Sequence, residues 1–104
     1  VTPRVAEIQH AVCRHFNIGM IEMASQRRAR AVSRPRQVAM YLCRELTPLS
    51  LPAIGRRFNR DHTTVMHACN IVVARMRADQ EFALAVGLLR VAVSEMAHRE
   101  EWEG

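Results

Sequence analysis

The stretch Arg60-Asp61-His62-Thr63-Thr64-Val65-Met66-His67-Ala68 holds the chain's densest set of chemically able side chains. These types suit the edges of base pairs. Imidazole and hydroxyl groups donate or accept in the major groove, a threonine methyl packs on the thymine methyl, and aspartate accepts from cytosine N4. With Asp61 as an N-cap, His62, Thr63 and Thr64 fall in the first turn of a helix, where helix-turn-helix proteins present side chains to DNA. The amides of such a turn also favour a phosphate. A plainer reading is open for the same residues: Asp61 and Thr64 only cap a helix, and His62 is solvated.

Other chemistries fit less well. His62, His67 and Cys69 lie close in sequence, as do His10, Cys13 and His15. Ligands on one helix need i, i+4 spacing, and positions five apart diverge by about 140° around the axis, so no metal is expected. A Cys-His or Ser-His nucleophile would need a strained nucleophile loop, and none is visible. All fifteen basic residues are arginines. Without lysine there is no P-loop, Schiff base or kinase strand lysine, and the four scattered glycines form no G-x-G-x-x-G. The expectation is a chain that is not an enzyme and carries no cofactor.

The charge of +5 is placed unevenly: residues 27–60 carry nine Arg against one Glu, whereas residues 61–104 sum to −3. A polyanion contacted by the middle of the chain accounts for that clustering. Cys13, Cys43 and Cys69 form no C-x-x-C pair and sit among apolar residues, as small core residues in a reducing compartment do. There is no apolar run of about 18 residues and no charged-then-apolar leader, so neither a membrane span nor a signal peptide is expected, and the location expected is cytoplasmic.

The elements that must position these residues read as helices. At 104 residues the chain has the length of one domain, 1–104. Val5, Ile8, Val12 and Phe16 predict a helix over 3–16, with Pro3 in its first turn and Asn17 at its end. Met20, Ile21 and Met23 suit one short turn. Residues 25–34 carry four arginines without apolar period and read as a basic loop, after which Pro35 opens a helix with the stripe Val38, Tyr41, Leu42 and Leu46. Ser50 caps a short helix with Leu51, Ile54 and Phe58 facing the core. Asp61 caps the next, with Val65, Ala68, Cys69 and Val72 inward to about Arg77. Asp79 caps a last helix bearing Phe82, Val86, Leu89, Val93 and Met96. No strand pattern or internal repeat is found. The reading is an all-α, compact helical domain of about five to six helices, with a helix-turn-helix at about 50–77.

Three blocks resemble the C-terminal DNA-binding domain of the bacterial replication initiator DnaA: Arg34-Pro35-Arg36-Gln37-Val38-Ala39-Met40-Tyr41-Leu42, Leu49-Ser50-Leu51-Pro52-Ala53-Ile54-Gly55-Arg56-Arg57-Phe58, and Arg60 to Ala68. The similarity runs from about Val5 to the last helix, and the tail 98–104 has no clear counterpart. The resemblance implies double-stranded DNA as partner, bound at short asymmetric sites of the TTATNCACA type, in replication initiation or its regulation in a bacterial nucleoid. It implies that Arg28 enters the minor groove. Arg44, Leu51, Pro52, Asp61, His62, Thr63 and Thr64 then serve the major groove, and Arg27, Arg30, Arg34, Arg36, Gln37, Arg56 and Arg57 the DNA backbone.

Three departures from the family pattern stand out: Gln26 where lysine is frequent, Ala29 and Ala31 where serines are common, and Asn59 alone in a turn that holds two glycines in some members. A full initiator carries a nucleotide-hydrolysing module ahead of this domain. These residues are therefore read as an excised domain or as a stand-alone regulator. With no dimerisation heptad, a monomer is expected. A helical protein-interaction module is the rival from another class. Its support is a second apolar row on the last helix, Leu84, Leu88 and Val91, with Trp102 beyond. Packing of that row against residues 3–16 is the favoured expectation.

Overall fold

The fold is taken from a computed structural model, which describes residues 2–103, with side chains through His98. Among the described residues there are five α-helices, a 3-10 turn at Met20–Ala24 and no strand: α1 (Val5–Phe16), α2 (Arg30–Leu46), α3 (Leu51–Phe58), α4 (His62–Ala78) and α5 (Gln80–Glu103). The core is drawn from every helix, with Ile8, Val12, Val38, Leu42, Ile54, Phe58, Val65, Val72, Val86 and Val93 all buried.

Helix ends follow local chemistry. The Glu7 carboxylate accepts from the Arg4 amide at 2.8 Å ahead of α1, and Asn17 closes that helix in the left-handed region at φ 56°. Pro3 is buried but lies ahead of the helix rather than in its first turn. Ser50 Oγ accepts from the Ala53 amide at 3.2 Å, and Asp79 Oδ1 accepts from the Phe82 amide at 3.1 Å. Each satisfies one amide that the helix itself leaves unpartnered.

Two expectations are corrected. The basic loop is shorter than 25–34, because α2 begins at Arg30 and Pro35 sits inside it. Proline costs that helix the bond to the Ala31 carbonyl, and Val32 in the added opening turn is buried, only 2% exposed. Residues 98–103 form the end of α5, and the Trp102 side chain lies outside the described residues. Leu84, Leu88 and Val91 do not pack against α1, for they are 63%, 68% and 55% exposed. The α5 face turned to the core is already filled by Phe82, Val86, Leu89 and Val93.

The sharpest steric demand lies between α3 and α4. A Cβ on Gly55 would run into the backbone carbonyl of Arg60, while Asn59 takes the left-handed turn at φ 57°. One asparagine does here what glycine does elsewhere, since its short polar side chain tolerates that region. Gly55→Ala is therefore expected to destabilise the fold by roughly 1–3 kcal/mol through overpacking against backbone that cannot rotate away. Thermal denaturation checks it, and an unchanged melting temperature would show that the turn yields.

Candidate nucleic-acid interface

The turn Asn59-Arg60-Asp61 joins α3 to α4, and Asp61 Oδ1 accepts from the Thr64 amide at 2.8 Å. This fixes the first turn of α4, in which His62, Thr63 and Thr64 are all exposed. The Thr64 amide and hydroxyl, aided by His62, hold the Asp61 carboxyl below its ordinary value. A lowered carboxyl stabilises the fold above its unfolded pKa, and that contribution disappears as pH falls through the folded pKa. Stability from this cap should thus be flat near neutrality and decline only in acid, below about pH 4. Asp61→Asn, which still caps, should remove its share of the acid dependence while keeping the neutral melting temperature, as pH-resolved thermal melts would show.

Facing α4 across a cleft of about 480 Å³ is the basic loop. Gln26, Arg27 and Arg28 come from the loop, Ser33, Gln37 and Met40 from α2, Arg60 from the turn, and Thr64, His67, Ala68 and Ile71 from α4. Two arginines build this edge. Arg36, only 5% exposed, donates from Nε to the Met23 carbonyl at 3.2 Å, from Nη1 to the Arg27 carbonyl at 3.1 Å and from Nη2 to the Glu22 carbonyl at 2.9 Å. Arg60 Nη2 donates to the Ser25 carbonyl at 2.6 Å. The loop backbone is thereby tied both to α2 and to the helix-turn-helix turn. Burial, then the neighbouring Arg60, lowers the Arg36 pKa from its ordinary value.

The structure sorts the expected contacts into groups. Arg27, Arg28, Gln37 and Thr64 come together at the cleft, with Arg27 also paired to Glu22 at 3.1 Å. Asp61, His62 and Thr63 stand exposed in the same opening turn as Thr64. Pro52, Arg44 and Arg56 are exposed, and Leu51 is half-buried. Arg36 is a correction: its guanidinium is spent on the loop's carbonyls, so it is a loop anchor rather than a free cation for DNA phosphate. Arg30 and Arg34 line a different pocket, with Arg75. Arg57 lines a third beside Pro3 and Leu49, and its carbonyl accepts from the buried Gln9 amide at 3.2 Å.

Sequence reasoning missed Arg60 as an anchor, and His67 stands exposed on the cleft wall. Arg36 left a readable trace: it continues the buried row Val32, Ala39 and Cys43 at helical spacing. The thiols are chemically quiet, with Cys43 pushed up to about 12 by burial and Cys69 also raised by burial, so neither is a nucleophile near neutrality.

The family of the bacterial dnaA protein helix-turn-helix matches residues 5–72. The chromosomal replication initiator protein DnaA of Gluconobacter oxydans is 61% identical over 87 residues, covering 83% of this chain and 18% of that protein. Its counterpart from Sphingopyxis alaskensis is 54% identical over 91 residues, covering 85% and 20%. The crystal structure of a DNA replication initiation factor superposes with a TM-score of 0.80 at 32% identity, over 88% of this chain and 28% of that one. The chain thus spans about a fifth of the length of the curated relatives it matches. A match over most of the chain, on the same helices that frame the cleft, places this protein in the family of bacterial DnaA helix-turn-helix domains.

Proposed function

We propose that this chain binds double-stranded DNA sequence-specifically, as a monomeric and non-catalytic reader of DnaA-box-like sites in replication initiation or its regulation in the bacterial cytoplasm. The observation that carries it is the pairing, across one cleft, of a basic loop with the capped, exposed first turn of α4. One phosphate strand separates the minor from the major groove of a duplex. With Arg28 in the minor groove and His62 and Thr63 in the major groove, that strand runs over the cleft, within reach of Arg27, Gln37, Thr64 and His67. Leu51 and Pro52 then approach thymine methyls, Arg44 flanks the same groove, and Arg56 adds a backbone contact. Among the described residues, no helix is long and apolar enough to cross a membrane.

Gel-shift titration against a box duplex and its scrambled counterpart, at several salt concentrations, tests this reading. Preference for the box is expected, and Arg56→Ala should reduce the log-log salt slope by about 0.9 without changing the preference. Equal affinity for both duplexes would overturn it. A protein contact is the second reading, and the exposed row Leu84, Leu88 and Val91 is what favours it.

A further inference from the structure

Around α2 from the DNA cleft lies a second concavity, of about 300 Å³, lined by Phe16, Arg30, Ala31, Arg34, Pro35 and Arg75. It is separate from the cleft: α2 turns Ser33, Gln37 and Met40 to one and Ala31, Arg34 and Pro35 to the other. Three arginines from two helices border it. Among the described residues, no carboxylate is within ion-pair distance of any of them, unlike Arg27, paired with Glu22, and Arg90, paired with Glu45. Arg30 and Arg34 are exposed and Arg75 is half-buried, so an anion entering the pocket would meet cations with no carboxylate partner.

The chemistry of the walls narrows the anion. The Arg75 guanidinium lies over the Phe82 ring, 3.9 Å from its centroid, which occupies its face and leaves its N–H edge for a bidentate acceptor. Arg30 and Arg34 sit one helical turn apart and suit the oxygens of a single phosphate. Phe16, Ala31 and Pro35 supply an apolar wall beside them. At this volume, near the lower end for small-ligand pockets, a phosphate alone leaves the apolar side unfilled, whereas a phosphate joined to a flat ring fills both. We propose that this pocket binds a nucleoside phosphate, with Arg30, Arg34 and Arg75 on the phosphate and the base against Phe16 and Pro35. The same chemistry is met in a free nucleotide and in one unit of a single strand.

The test is an amide-resolved NMR titration of the chain with AMP, adenosine and inorganic phosphate, and separately with a short oligo-dT strand. Saturable shifts at Phe16, Arg34 and Arg75 are expected with AMP, weaker ones with phosphate and none with adenosine. Arg75→Ala should weaken AMP binding roughly tenfold or more while leaving box-duplex affinity unchanged. Arg34→Ala repeats the loss without disturbing the Phe82 contact. Oligo-dT acting at the same residues below the AMP concentration assigns the phosphate to a strand, and AMP without oligo-dT assigns it to a free nucleotide. Shifts confined to Arg28, Thr64 and His67, phosphate binding as well as AMP, or unaltered AMP binding by both variants would overturn the proposal. Duplex affinity is measured separately, so failure here leaves the DNA reading standing.

Discussion

Replacing His62 or Thr63 by alanine is expected to cost about 1–3 kcal/mol of specific DNA binding and relax preference at one base position. Both side chains are exposed and outside the buried row Val65, Ala68, Cys69 and Val72. Their removal should therefore leave stability within about 0.5 kcal/mol. Non-specific affinity depends on phosphate contacts and should survive, so the ratio of box to scrambled affinity is the quantity that falls. Asp61→Ala should differ in kind: it removes the bond to the Thr64 amide and lowers the melting temperature together with the ratio. Competition gel shifts and thermal melts on the three variants measure both quantities. A full ratio retained by His62→Ala and Thr63→Ala would remove the first turn of α4 from base recognition.

Arg36→Met should have the largest effect of any single change on the loop. Methionine keeps much of the aliphatic stem but leaves the Met23, Arg27 and Glu22 carbonyls without their donors. Hydrogen bonds from a charged donor contribute about 1.5–3 kcal/mol each and do not add fully, so a loss of roughly 2–4 kcal/mol is expected. Box affinity should fall with it, although Arg36 reaches no DNA, because Arg27 and Arg28 lose their platform. Chemical denaturation gives the first quantity and gel shift the second. The discriminating observation is hydrogen exchange. The Ser25 and Arg27 amides, bonded to the Glu22 carbonyl and the Ser25 hydroxyl, should lose protection in Arg36→Met and keep it in Arg28→Ala. Equal protection in the two variants would return Arg36 to the list of direct contacts.

The helices were legible because their signals are local. Ser50, Asp61 and Asp79 each precede an apolar row at helical spacing, and each caps as its type dictates. What stayed hidden depends on distant partners. The start of α2 lies five residues ahead of Pro35, which on propensity alone belongs in a first turn, and Val32 in that added turn is buried. Arg36 and Arg60 look like any other members of a basic cluster until the carbonyls of residues 22–27 are brought beside them. The division of Arg30 and Arg34 from Arg28 is equally unreadable, because it follows from where α2 begins and how its faces are turned.

The bond from Arg60 to the Ser25 carbonyl joins the α3–α4 turn to the basic loop, and Arg36 braces the loop from the other side. On the proposed reading, the loop and the turn are then the jaws of a fixed calliper on DNA. A duplex advances about 3.4 Å per base pair and rotates by roughly a tenth of a turn, so one inserted base pair moves one half of a site out of reach of its jaw. Such a reader tolerates a wrong letter in its site more readily than an added one. On that reading, spacing is encoded by Arg36 and Arg60, two side chains that hold the jaws rather than read a base.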